Sequence, residues 1–278
     1  MKNKIRKFFL LVGVLFVLGG GCVVGYPYVS NWISEYEAEE VILDYRSTVK
    51  DEDAESLSDM KSEAEKYNRL LNSDEGVSEA DYEDMLAITD SIGFLEIPKL
   101  DIYLPIYHSV EERALRRGVG HMPQTSLPVG GPSTHCVLSG HTGLPTAKIF
   151  TNLDKMEEGD LFFLHVLDET LAYKVDQILT VLPEDTKDIQ IEEGKDLVTL
   201  VTCVPYGANT HRLLVRGERT EYNPETISLR ASEKEPEEKR IPLSMIIGGA
   251  AAVVIIVIIM IVVRRRHTAG KKLKKKED

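Results

Sequence analysis

The string T-L-V-T-C-V-P-Y-G-A-N-T-H-R-L-L-V-R-G-E-R at 199–219 sets Cys203 at the end of one apolar run and Arg212 at the start of the next. Upstream, L-S-G-H-T-G-L-P puts His141 in a glycine-flanked turn. A cysteine at a strand end is held by the sheet while its side chain can meet solvent. If strands 197–203 and 212–217 pair through the 205–209 loop, Arg212 lands close to Cys203. A guanidinium there can favour a thiolate and donate hydrogen bonds to an oxyanion. An imidazole near neutrality can protonate a leaving amine and then deprotonate an incoming one. Thiol, imidazole and guanidinium together make a set suited to acyl transfer. The plainer readings are a buried strand cysteine, the commoner fate of that residue type, and an arginine spent on a surface ion pair. Arg216 shares a strand face with Arg212 and is the alternative cation.

Other chemistry has weaker support. His108, His121 and His165 stand alone, His135 precedes an apolar strand, and His211 is expected to face away from Arg212. No HxxH, HExxH or CxxC spacing occurs, so no metal site is expected. Of the 3 cysteines, Cys22 lies in an apolar run, which leaves Cys136 and Cys203 between the two apolar runs. A disulfide between them stays open. The chain is long enough to bury a core without one, and two free thiols, Cys136 structural and Cys203 chemical, are the expectation. Glycines 140 and 143 are read as leaving room for a substrate backbone beside His141.

These residues need elements to hold them. From Ser34 to Leu71, Ile42, Tyr45 and Val49, then Met60, Ala64, Tyr67 and Leu71, repeat at helical spacing, predicting two amphipathic helices with a break at Asp51–Ser58. Residues 72–91 are acidic and suit a mobile segment or a short helix. Strands are predicted at 93–100, 102–107, 135–139, 161–167, 171–182, 197–203 and 212–217. Pro98 and Pro105 restrict the first two to edges or bulges. Short strands with Gly/Pro loops indicate an all-β barrel or sandwich.

The ends of the chain place this domain. Residues 1–7 are a basic stub carrying Lys2, Lys4, Arg6 and Lys7, and 8–29 form an apolar run, read as an uncleaved membrane anchor with a cleaved or lipidated signal segment at Cys22 as the alternative. Leu243 to Val263 has no charge and as a helix would be roughly 31 Å long, about one bilayer core. Residues 264–278 are a basic tail that begins R-R-R and continues K-K-L-K-K-K. Basic flanks mark the cytoplasmic side, so both termini are expected inside and the middle outside. Between the spans lie a helical, lid-like region at 30–91, a catalytic β-domain at 92–220 and a polar linker at 221–242. The net charge is −12, with Lys and Arg gathered at the two ends, so the central domain is more acidic still. It would repel nucleic acid, and surface acids also keep an exported domain soluble.

Together S-G-H-T-G, T-L-V-T-C and H-R-L-L-V-R-G resemble the sortases, cysteine transpeptidases of Gram-positive cell surfaces. With G-V-G-H-M-P-Q-T-S-L-P-V-G-G at 118–131 and the second apolar span, the resemblance is to class C, the pilin-polymerising branch, and runs from about Tyr67 to the C-terminus. It implies an eight-stranded β-barrel carrying N-terminal amphipathic helices and flanked by transmembrane helices, with no cofactor. It implies catalytic His141, Cys203 and Arg212. Cys203 would cleave an LPXTG-like signal between Thr and Gly through a thioacyl enzyme, then pass the acyl group to a lysine amine of the next pilin. The implied partners are LPXTG-bearing pilins or surface proteins and the membrane. The class also carries a lid with an Asp-Pro-aromatic motif. Here N-S-D-E-G-V-S-E-A-D-Y departs from it: Asp74 stands at the lid aspartate, Glu75 and Gly76 replace the next two residues, and either Tyr82 covers the thiol or the site is open. Two alternatives stand beside this reading. One is a sortase attaching proteins to peptidoglycan or lipid II amines; the other is a non-enzymatic membrane-anchored adhesion or scaffold domain.

Overall fold

The computed structural model of the chain describes residues 2–71, 73 and 79–222. Asp74 and the second apolar run at 243–263 lie outside the described residues. Among the described residues there are four α-helices and eight strands: α1 (Lys2–Asp51), α2 (Ala54–Leu71), α3 (Glu79–Asp84), β1 (Gly93–Ile97), β2 (Ile102–Tyr107), α4 (Glu112–Leu115), β3 (Val119–His121), β4 (Thr134–Ser139), β5 (Leu161–Val166), β6 (Glu169–Val181), β7 (Asp196–Val204) and β8 (His211–Thr220). The strands close into a barrel in the order β1-β2-β3-β4-β7-β8-β6-β5, with β5 returning to β1. Seven of the strands match the sequence expectation in place. The eighth, β3, reads V-G-H and is too short to show alternation, yet it bridges β2 and β4 and completes the ring. Closure removes the exposed edges that an open sheet would leave.

Both prolines sit where a missing N–H costs little. Pro98 opens a short 3-10 turn after β1. Pro105 pairs with Phe94 of β1, while the other side of β2 contacts β3 only at Ile106 and Tyr107. Alternation then sorts the strand residues. Cys136 and Leu138 of β4, Val198 and Leu200 of β7, and Val215 of β8 point into the main core. Val137, Val201 and Leu214 point to the opposite face, where Met122, Leu179, Val181 and Ile189 pack around them in a second apolar cluster.

Residues 24–222 belong to one compact unit, so the C-terminal part of α1 packs with the barrel. Its buried stripe, Ala38, Ile42, Tyr45 and Val49, follows helical spacing. Tyr45 adds directed bonds: its hydroxyl accepts the Leu167 N–H at 2.7 Å and donates to the Ile92 carbonyl at 3.4 Å. The break after α1 is shorter than expected, because the Asp53 carboxylate accepts the Ser56 N–H at 2.9 Å and caps α2 at once. Near the end of α2, Asn68 acts as a strand partner for Leu127, accepting its N–H at 2.7 Å and donating to its carbonyl at 3.1 Å.

His121 ends β3 fully buried. Its Nε2 lies 2.8 Å from the Ser126 carbonyl, which can only accept, so Nε2 carries the proton and Nδ1 accepts from the Tyr82 hydroxyl at 2.9 Å. This ring is neutral, and burial pushes its pKa down to about 4 from an ordinary 6.5. Because the folded value lies below the unfolded one, the unfolded chain binds the proton more readily. The stabilisation is present above pH 6.5 and is lost as pH falls toward 4, by about 3 kcal/mol in all. Urea titrations across that range should show the decline, and His121→Gln should remove most of it; an unchanged slope in the variant would assign the effect to other groups.

Candidate active site

Cys203 is the penultimate residue of β7, and β8 begins after the Pro205–Thr210 loop. The loop is drawn tight by the Ala208 and Asn209 N–H groups, which both donate to the Pro205 carbonyl. The antiparallel register sets Cys203 directly opposite Arg212 and Val204 opposite His211. Residues opposite one another in such a ladder project from the same face, with Cβ atoms about 4.5–5.5 Å apart. Cys203 and Arg212 are therefore neighbouring residues by construction. Counting back by twos, Cys203 shares the outer face with Val201, and Arg212 shares it with Leu214.

His141 arrives from the other side of β7. Strands β4 and β7 run parallel, with Ser139 beside Val201. The ladder extends one step further: the Gly140 N–H donates to the Val201 carbonyl at 3.0 Å, and the Thr202 hydroxyl donates to the Gly140 carbonyl at 2.7 Å. His141 and Cys203 thus follow from the same end of adjacent strands. The loop beyond His141 folds back on itself, since the Phe150 N–H donates to the His141 carbonyl at 3.0 Å and the Gly143 N–H donates to the Thr151 hydroxyl at 3.1 Å.

The two flanking glycines have another use than the one expected. A Cβ on Gly140 would meet the buried Phe150 ring at 2.5 Å, and one on Gly143, whose φ is +73°, would meet the Tyr206 ring at 2.1 Å. They admit these rings, so the close approach at this turn is to the protein itself. Tyr206, in the β7–β8 loop, is exposed and lies over Gly143. It joins the cysteine loop to the histidine loop.

The polar surroundings distinguish the two arginines. Arg216 grips Asp176 with two bonds (Nη2–Oδ2 2.6 Å, Nε–Oδ1 3.2 Å) and Glu192 with a third at 2.6 Å. Asp176 sits at a register shift in β6, which turns its carboxylate toward β8. Arg212 donates from Nη1 to the carbonyls of Asn209 (3.3 Å) and His211 (3.2 Å), and among the described residues no carboxylate pairs with it. Its guanidinium retains donors for an incoming oxygen.

Glu112, which sequence reading missed, places its carboxylate 3.2 Å from His141 Nε2. Bonds from Arg116 and then from His141 hold that carboxyl below its ordinary range. The contact joins α4 to the β4 exit loop, and no sequence spacing announces it. The remaining thiol, Cys136, is free and buried in the core, where desolvation pushes its pKa well up, so it is protonated and inert. Tyr82, one candidate for covering the thiol, is committed elsewhere: it is buried, its hydroxyl bonds to His121 and accepts the Ser109 N–H, and its ring packs on Tyr67 and His108. Among the described residues no group of His, Cys, Asp and Glu is arranged to hold a metal ion.

A family profile described as Sortase domain matches residues 95–220. Among solved structures, the chain is similar to sortase C1 of Streptococcus agalactiae (43% identity, 66% of this chain and 100% of that one, TM-score 0.64). It is likewise similar to Clostridium perfringens sortase C with a C-terminal cell wall sorting motif (45%, 66% and 100%, TM-score 0.62). A more distant relative is Sortase A of Bacillus anthracis, 25% identical over 223 residues, which are 78% of this chain and 96% of that protein.

The two arginines should separate in experiment. Arg216→Leu leaves Asp176 without its partner and should cost about 2 kcal/mol of folding stability by denaturant titration. Arg212→Leu breaks no ion pair and should stay within about 0.5 kcal/mol of the parent. Equal losses from both would show that Arg212 also serves the fold.

Proposed function

The chain belongs to the sortase family of cysteine transpeptidases, and from that premise we propose that it is a membrane-anchored class C enzyme joining pilin subunits. The observation that carries the reading is the convergence of three strand exits: Cys203 opposite Arg212 in the β7–β8 register, with His141 following the parallel β4 at the same end. In this reading the Cys203 thiolate attacks the threonine carbonyl of an LPXTG-like signal. The negative charge that forms on oxygen is met by the open donors of Arg212. The C–N bond to glycine breaks as protonated His141 gives its proton to the departing amine, leaving a thioester on Cys203. A lysine amine of the next subunit then attacks the thioester carbonyl, loses its proton to His141 and expels the thiolate. An isopeptide bond results and the enzyme is restored.

The outer-face apolar cluster supports the substrate assignment. Val137, Val201 and Leu214, with Leu179, Val181, Met122 and Ile189 around them, lie on the face that carries Cys203 and Arg212. Val137, Val201 and Leu214 are themselves buried, so the partly exposed Leu179, Val181, Met122 and Ile189 would offer the apolar contacts for the leucine and proline of such a signal. A pilin acceptor is supported by similarity to Streptococcus pneumoniae sortase C, whose structure is described as bearing on pilin substrate specificity.

Incubation of the purified chain with an LPXTG peptide should add the acyl fragment to Cys203, seen by intact mass and peptide mapping, and Cys203→Ala should abolish the adduct. A well-folded protein that forms no adduct would favour the adhesion or scaffold alternative. Arg212→Lys keeps the charge but loses the planar fork, and turnover should fall by about 10²-fold or more; near-parental turnover would remove Arg212 from the oxyanion role. In competition, a pilin lysine should outcompete a peptidoglycan stem peptide as acceptor, and the reverse order would replace pilus assembly with cell-wall attachment.

A further inference from the structure

Helix α1 carries a second apolar stripe besides the one packed on the barrel. Tyr26, Val29, Ile33 and Tyr36 repeat at spacings of three and four and are 55%, 46%, 43% and 58% exposed, and Tyr28 is exposed beside them. Trp32 stacks on Tyr36 with ring centroids 6.2 Å apart. The stripe continues the apolar run that follows Lys2, Lys4, Arg6 and Lys7, and it ends among Glu35, Glu37, Glu39 and Glu40. A second copy of the helix makes a poor partner for this face, because it would bring four more carboxylates alongside. Tyrosine and tryptophan at the passage from apolar run to charged helix match the bilayer interface, where their rings have one apolar and one wet side.

We infer that the Tyr28–Trp32 turn of α1 lies in the lipid headgroup layer, with Tyr36 at its water edge, and that this belt holds the His141 loop beside the bilayer surface. The lengths agree. About 20 residues of helix cross a hydrocarbon core of about 30 Å, and the run from Phe8 to Pro27 supplies them. The next turn advances about 6 Å, the depth of one headgroup layer. One turn further, the Glu35 carboxylate pairs with Lys148 Nζ at 3.6 Å. Lys148 belongs to the loop that His141 opens and Phe150 closes. The loop that His141 opens is therefore tied to α1 one turn beyond the belt. This inference rests on the anchor reading of the first apolar run.

The chain contains a single tryptophan, so Trp32 is a built-in depth probe. The full chain would be reconstituted in phosphatidylcholine/phosphatidylglycerol nanodiscs carrying a nitroxide either on the headgroup or at carbon 12 of the acyl chain. Headgroup label should quench Trp32 emission at least twofold more than the deep label, with little further quenching by iodide. Stronger quenching by the deep label, or quenching by iodide alone in disc-bound protein, would overturn the belt while leaving the anchor intact. Failure of the chain to co-purify with discs would overturn both. For the loop, Lys148→Trp in a Trp32→Phe background should lose at least a third of its emission to the headgroup label; unchanged emission would break the link between belt and active-site loop.

Discussion

The β7–β8 ladder is the constraint on which the site depends. Two residues far enough apart in sequence to be separated by a loop are set opposite each other on one face by one register, Cys203 against Arg212. A slip of one residue would send every side chain of β8 to the opposite face. Arg212 would then exchange its place with Leu213, which belongs to the core. The apolar residues inside the barrel, Leu213 and Val215 on β8 against Leu200 and Val198 on β7, therefore enforce the polar geometry outside it. Packing energy on one face specifies chemistry on the other.

Parallel pairing of β4 with β7 contributes the third group by the same logic. Two parallel strands finish at the same end of a sheet, so the loops that leave them meet without long excursions. Gly140 and Gly143 then let Phe150 and Tyr206 close over the histidine turn. The charges around the site are divided between two tasks. Arg216 and Lys195 balance Asp176 and Glu192 on the outer face, whereas among the described residues Arg212 bonds to carbonyl oxygens and to no carboxylate. In the proposed mechanism Arg212 would meet the transient anion.

Much of this was legible in the chain, and the failures have physical reasons. The alternating apolar runs located seven strands, and the Cys–Arg neighbourhood followed from assuming the shortest hairpin between two of them. Val119–His121 escaped notice because three residues including a glycine carry no periodicity. Ala54–Ser58 was read as a break because polar residues dominate it, while the decisive signal was the Asp53 cap. The glycines beside His141 suggest approach by a substrate backbone, but the groups that approach them are the Phe150 ring from the same loop and the Tyr206 ring from the β7–β8 loop, which sequence spacing cannot reveal. Glu112 is of the same kind: its contact with His141 crosses from α4 to the loop that leaves β4. The resemblance offers Tyr82 as the lid aromatic that covers the thiol, but it is buried against His121, a partner contributed by the short strand β3 that carries no periodicity.

The most direct measurement is a crystal structure with an LPXTG-derived peptide mimic joined to Cys203 through a disulfide. The account predicts the carbonyl oxygen equivalent to threonine within about 2.7–3.1 Å of an Arg212 guanidinium nitrogen, and the His141 ring on the leaving-group side. A peptide seated on Cys203 with its carbonyl turned away from Arg212, and with His141 out of reach of the scissile nitrogen, would contradict it.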